Sequence, residues 1–212
     1  LSGGGFYWKE GVSKASVREM IPGATAHDTY KNILRRIAEF LHTVKGPGGE
    51  PIPMIFRPFH ELDGSWFWWG KNHCSPDEIK SLWRFTITYL RDSMNVHQLL
   101  YAFSPDCTFQ NEAEFLERYP GDEYVDMVGM DNYADLGRDG KYNLPAAIKK
   151  LQIVQNFANK TGKLAALTET GLESIPKPDW WTEVLLKTIT TPGLRLSYVL
   201  VWRNDKISPT HY

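Results

Sequence analysis

Two glutamates, Glu61 and Glu169, each close a short apolar run. One is Met54-Ile55-Phe56-Arg57-Pro58-Phe59-His60-Glu61, the other Leu164 through Thr168-Glu169-Thr170-Gly171. Apolar runs of this length read as strands buried on both faces of a parallel sheet, and the C-terminal ends of such strands form the face where chemistry collects. A lone glutamate there is ordinarily a solvated carboxylate. Two at the same face can divide the labour of cleaving a glycosidic bond, one donating a proton to the leaving oxygen and one attacking the anomeric carbon. Trp66-Phe67-Trp68-Trp69 follows Glu61 closely, and indoles offer the flat apolar faces on which sugar rings stack.

Other chemistries find less support. His60 precedes Glu61, but no second histidine stands at the spacing of a zinc helix. His27, His42, His73, His97 and His211 form no ligand pattern, so neither a metal nor another cofactor is expected. No Gly-x-Ser-x-Gly and no Gly-Lys-Ser/Thr occurs. Cys74 and Cys107 lie in loops after neighbouring strands, where an extracellular setting would permit a disulfide. Tyr133, in Asp131-Asn132-Tyr133, can orient a carboxylate or simply pack in the core. Glu173 stands three residues after Thr170, the spacing of a capping box, and is expected to cap a helix rather than react.

The elements that must position these residues alternate. A helix is expected from Tyr30 to Val44, where Ile33, Leu34, Ile37, Phe40 and Leu41 recur at helical spacing, after a loop-like segment from Leu1 to Gly23. A strand follows over Pro53 to Phe59. Ser75-Pro76-Asp77-Glu78 opens a helix through about Arg91. The remainder reads as strand Leu99 to Phe103, a short helix near Ala113 to Tyr119, strand Val125 to Met130, helix Pro145 to Lys160, strand Leu164 to Leu167, helix Trp180 to Thr190 and strand Ser197 to Trp202. Such alternation means a parallel α/β fold, either doubly wound or part of a (β/α)8 TIM barrel. Polar or aromatic residues at every strand end favour the barrel, which gathers all its strand ends around one pocket.

A chain of 212 residues, 42% hydrophobic, suffices for one substantial core and is read as a single domain. Its formal net charge of −1 and lack of a basic run argue against nucleic acid or an anionic membrane as partner. No apolar run approaches the ~20 residues of a membrane-spanning helix.

At these residues the chain resembles glycoside hydrolase family 26, best known for endo-β-1,4-mannanases. MIFRPFHELDGSWFWWG, Met54 to Gly70, is similar to the family's fourth-strand signature, which implies that Glu61 is the general acid/base. The same match implies that His60 lies near the sugar 2-hydroxyl and that Arg57 and Trp66 belong to the subsite of the reacting ring. LAALTETG, Leu164 to Gly171, resembles the seventh-strand signature, making Glu169 the nucleophile and Tyr133 its hydrogen-bond partner. VLVWRN, Val199 to Asn204, resembles the eighth strand, with Trp202 as stacking platform and Arg203 reaching a neighbouring subsite. The resemblance further implies an incomplete barrel, strands four to eight, shortened at both ends. It also implies an extracellular or periplasmic enzyme that needs no cofactor, takes β-mannan or a related polysaccharide, and is monomeric as the complete domain. A β-1,3-xylanase, a mixed-linkage β-glucanase and an inert carbohydrate-binding protein are the alternatives.

Overall fold

The computed structural model describes residues 15–202. They fall into two compact units. The first takes the residues up to Ala102 together with Glu117–Asp126, and the second takes Phe103–Leu116 and everything from Met127 onward.

The first unit contains α1 (Ser16–Met20), α2 (His27–Thr43), β1 (Met54–Phe56), α3 (Pro76–Thr88) and most of β2 (Leu99–Phe103). Helix α1 lies where only loop is expected from the glycines and prolines around it, and it buries Val17 and Met20. Helix α2 buries Tyr30, Leu34, Ala38 and Leu41, one stripe about three turns long. Ile33 and Phe40 therefore fall outside the buried face, at 40% and 62% exposure. Strand β1 is shorter than the expected Pro53 to Phe59. Pro58 carries no amide hydrogen, and Phe59 and Glu61 turn into positive φ (50° and 51°), so the chain leaves the ladder after Phe56. Strands β1 and β2 pair in parallel, Met54 opposite Leu99 and Phe56 opposite Tyr101.

Helix α3 starts with a complete capping box. The Ser75 hydroxyl accepts from the Glu78 amide at 3.2 Å, and the Glu78 carboxylate accepts from the Ser75 amide at 2.9 Å. Beyond Thr88 it continues as a π-helical turn, Tyr89–Ser93.

The second unit holds the end of β2, α4 (Glu112–Phe115), β3 (Met127–Asp131), α5 (Leu144–Thr161), β4 (Leu164–Thr170), α6 (Lys187–Ile189) and β5 (Leu196–Val201). Strands β3, β4 and β5 pair in parallel. The chain beyond β2 lies beside β3, where the Asp131 amide donates to the Pro105 carbonyl. Helix α5 packs on β3 and β4. It is capped by the Asn143 side chain at its start and by Gly162, in the left-handed region, at its end. The helix expected from Trp180 is π-helical through Leu186 before the short α6.

No helix begins near Thr170, contrary to the capping-box spacing of Thr170 and Glu173. The Thr170 hydroxyl instead donates to the Asn132 carbonyl, and Glu173 is exposed in a turn followed by Ser174 and Ile175 at positive φ. Cys74 and Cys107 are both buried free thiols. Among the described residues no helix is long and apolar enough to cross a membrane.

Candidate active site

In the first unit the segment after β1 folds back on itself and fixes Glu61, which is 8% exposed. The Gly64 amide donates to the Glu61 carbonyl, the Lys71 amide to the Gly64 carbonyl, and the Trp69 indole to the His60 carbonyl at 2.8 Å. Phe67 and Trp69 stack with centroids 4.5 Å apart, and the His60 ring packs on both. Phe67 and Trp69 are thus the buried members of the aromatic run, whereas Trp66 is 37% exposed and Trp68 half-buried. The Trp66 indole nitrogen donates to Glu61 Oε2 at 2.5 Å. His60 and Arg57 are half-buried. Alternation along a strand would send His60 and Glu61 to opposite faces, but both lie in the turn beyond β1, where that rule no longer applies.

Arg118 braces the far end of this segment. Its guanidinium donates to the Cys74 carbonyl at 3.1 Å and contacts Cys74 Sγ at 3.6 Å. Burial nevertheless pushes the Cys74 thiol above its ordinary range, outweighing the nearby cation.

In the second unit Glu169, 7% exposed, stands near the end of β4. The Tyr133 hydroxyl donates to Glu169 Oε1 at 2.7 Å, and the Asn132 amide donates to the Glu169 carbonyl. Register explains the aim. Met130 pairs with Leu167 but Asp131 pairs with Glu169, so Thr168 is an extra residue that breaks the side-chain alternation of β4. Below Glu169, Ser104, Asp131 and Thr168 are fully buried and mutually bonded. Asp131 Oδ1 accepts from the Ser104 hydroxyl at 2.6 Å and the Thr168 hydroxyl at 2.8 Å. Gly129 permits this closeness, because a Cβ there would meet the Thr168 methyl at 2.4 Å.

Trp202 follows β5, is 48% exposed, and has its backbone amide bonded to the Thr170 carbonyl at 2.8 Å. Arg203 lies outside the described residues. Two groups here escaped the sequence reading. In sequence Asp131 stands out only as part of a strand end, although an acid closing an otherwise apolar strand is a readable sign of a buried network. Arg138 had no such signal. Its guanidinium sits 4.4 Å from the centre of the Tyr133 ring, brought there by a turn in which Gly137 adopts φ 130°.

The family model for Glycosyl hydrolase family 26 matches residues 3–204. A mannan endo-1,4-β-mannosidase from Bifidobacterium adolescentis is 41% identical over 160 residues, 74% of this chain but 16% of that protein. The solved GH26 β-mannanase of Bacteroides ovatus superposes on 99% of this chain and 59% of its own, with TM-score 0.90 and 41% identity. A modular endo-β-1,4-mannanase from Cellulomonas fimi does so over 100% of this chain and 47% of its own, with TM-score 0.89 and 34% identity. The chain spans about half of these solved chains and a smaller part of the curated relative. Its parallel strands with their intervening helices are those of an incomplete (β/α)8 barrel. With the family match covering nearly its whole length, this chain belongs to glycoside hydrolase family 26.

Proposed function

We propose that this chain carries the catalytic pair of a retaining endo-β-1,4-mannanase within a single catalytic domain. Glu169 is the nucleophile and Glu61 the acid/base. The observation that carries the reading is the Tyr133 hydroxyl bonded to Glu169 Oε1 at 2.7 Å, which fixes one carboxylate oxygen and so aims the other. The names of the relatives, mannan endo-1,4-β-mannosidases, supply the substrate class.

In the first step a Glu169 oxygen bonds to the anomeric carbon, the bond to the leaving oxygen breaks, and that oxygen takes the proton of Glu61. In the second, Glu61 removes a proton from water, whose oxygen displaces Glu169 and restores both groups with net retention. The reading requires the two carboxyl groups about 5–5.5 Å apart. Trp202 is the platform under a sugar ring. Arg57, His60 and Trp66 line the subsite of the reacting ring, and Arg203 reaches the next. The enzyme acts outside the cytoplasm, where polymeric mannan is found, and uses no cofactor.

The test is reducing-sugar release by the full-length protein from mannan, xylan and lichenan, with the anomer of the first product followed by NMR. Mannan cleavage with retention is expected. Inverted product, or preference for xylan or lichenan, rejects the reading. Glu169→Ala should lose turnover while binding mannan, and added azide should give an inverted glycosyl azide from an activated mannoside; near wild-type turnover would unseat Glu169.

A further inference from the structure

We infer that Trp66 is a positioning residue for Glu61, and that Gly64 is a glycine in order to let it be one. The inference rests on the acid/base reading of Glu61 and adds which of its oxygens delivers the proton. Trp66 Nε1 lies 2.5 Å from Glu61 Oε2. To reach it, the indole lies across the turn at Gly64. A Cβ on Gly64 would stand 2.5 Å from Cη2 and Cζ2 and 2.7 Å from Cζ3 of that ring. Gly64 is not there for its backbone angle, since its φ is not in the left-handed region. It leaves room for the ring.

An indole N–H only donates. In a protonated carboxyl the carbonyl oxygen is the better acceptor, so the oxygen facing Trp66 is the C=O and the proton resides on Oε1. Oε2 is held by the indole, and Oε1 is the atom that protonates the leaving oxygen as its bond to the anomeric carbon breaks and Glu169 bonds to that carbon. The same N–H stabilises the carboxylate left behind, because a hydrogen bond to an ionised acceptor is stronger than one to a neutral group. Glu61 itself sits at φ 51°, a backbone that β-region alternation does not aim, so its orientation is set by what the side chain touches.

Two arms test this on the full-length protein. In the first, the Trp66 indole N–H resonance, identified by its loss in Trp66→Phe, should lie downfield of an ordinary indole and move upfield in Glu61→Gln. It should also move upfield in Gly64→Ala, where the new methyl displaces the ring rather than the fold. A resonance unmoved in Glu61→Gln overturns the inference with no substrate involved, so it is judged separately from the mannanase reading. In the second, Trp66→Phe keeps an aromatic face but no donor. It should lose about tenfold or more kcat/KM on unactivated mannooligosaccharides while losing little on a dinitrophenyl mannoside, whose leaving group needs no proton. An equal rise in KM on both substrates with kcat unchanged makes Trp66 a sugar platform only and overturns the inference.

Discussion

Each carboxylate of the proposed pair receives a hydrogen bond from an aromatic side chain of its own unit. Trp66 donates to Glu61 and Tyr133 to Glu169. Hydrogen bonds to charged acceptors contribute about 1.5–3 kcal/mol, so Tyr133→Phe should lower kcat on mannan roughly tenfold to a hundredfold with KM little changed. An unchanged kcat would make Tyr133 a packing residue. The glutamates and Tyr133 are legible in sequence because they sit at or just past the ends of apolar runs, where a polar residue is conspicuous. Arg138 is not, since nothing in a loop sequence says which ring a guanidinium will cover.

At the level of elements, local chemistry has measurable weight. Ser75→Ala removes an N-cap and should cost about 1 kcal/mol in denaturant unfolding, while Ser75→Asp should retain most of it. A larger loss is expected at α5. Lys150 Nζ lies 2.6 Å from Asp135 Oδ2, and both side chains are almost fully buried. Lys150→Met strands the Asp135 charge and should cost about 3–5 kcal/mol. If the variant unfolds at the wild-type midpoint, the pair is solvated and the reasoning fails. The capping box of α3 is written in four consecutive residues and was readable. The same spacing at Thr170 to Glu173 opens no helix, because Thr170 lies in a strand and its hydroxyl donates to the Asn132 carbonyl. The spacing of a cap shows only that a helix could start, and the strand beneath decides whether one does.

For the molecule as a whole, burial of thiols and phenols sets an alkaline limit. Burial pushes Cys107 from 9.0 up to about 12 and Tyr101 from 10.0 up to about 12, and raises Tyr30 and Tyr119 as well. A folded-state pKa above the unfolded value means that the native state holds the proton more tightly. The stability this contributes is complete below about pH 9 and is lost as pH rises toward about 12. The denaturant midpoint should therefore fall steadily between pH 9 and pH 11, and a flat midpoint would contradict the burial. Both cysteines should resist thiol reagents at neutral pH in the native state, and two thiols should react once the unreduced protein is unfolded. Fewer than two would reveal a disulfide.

The sequence alone determined the alternation of strands and helices, the two carboxylates and the family, because apolar periodicity, helix caps and a run such as Met54 to Gly70 are local properties of the chain. Only the tertiary structure decided how those residues are aimed. The bulge at Thr168 depends on how β4 registers against β3, the end of β1 depends on φ at Phe59 and Glu61, and the reach of Trp66 to Glu61 depends on the missing Cβ of Gly64. Register, backbone turn and steric clearance are relations between residues already placed in space, and composition and spacing leave them open.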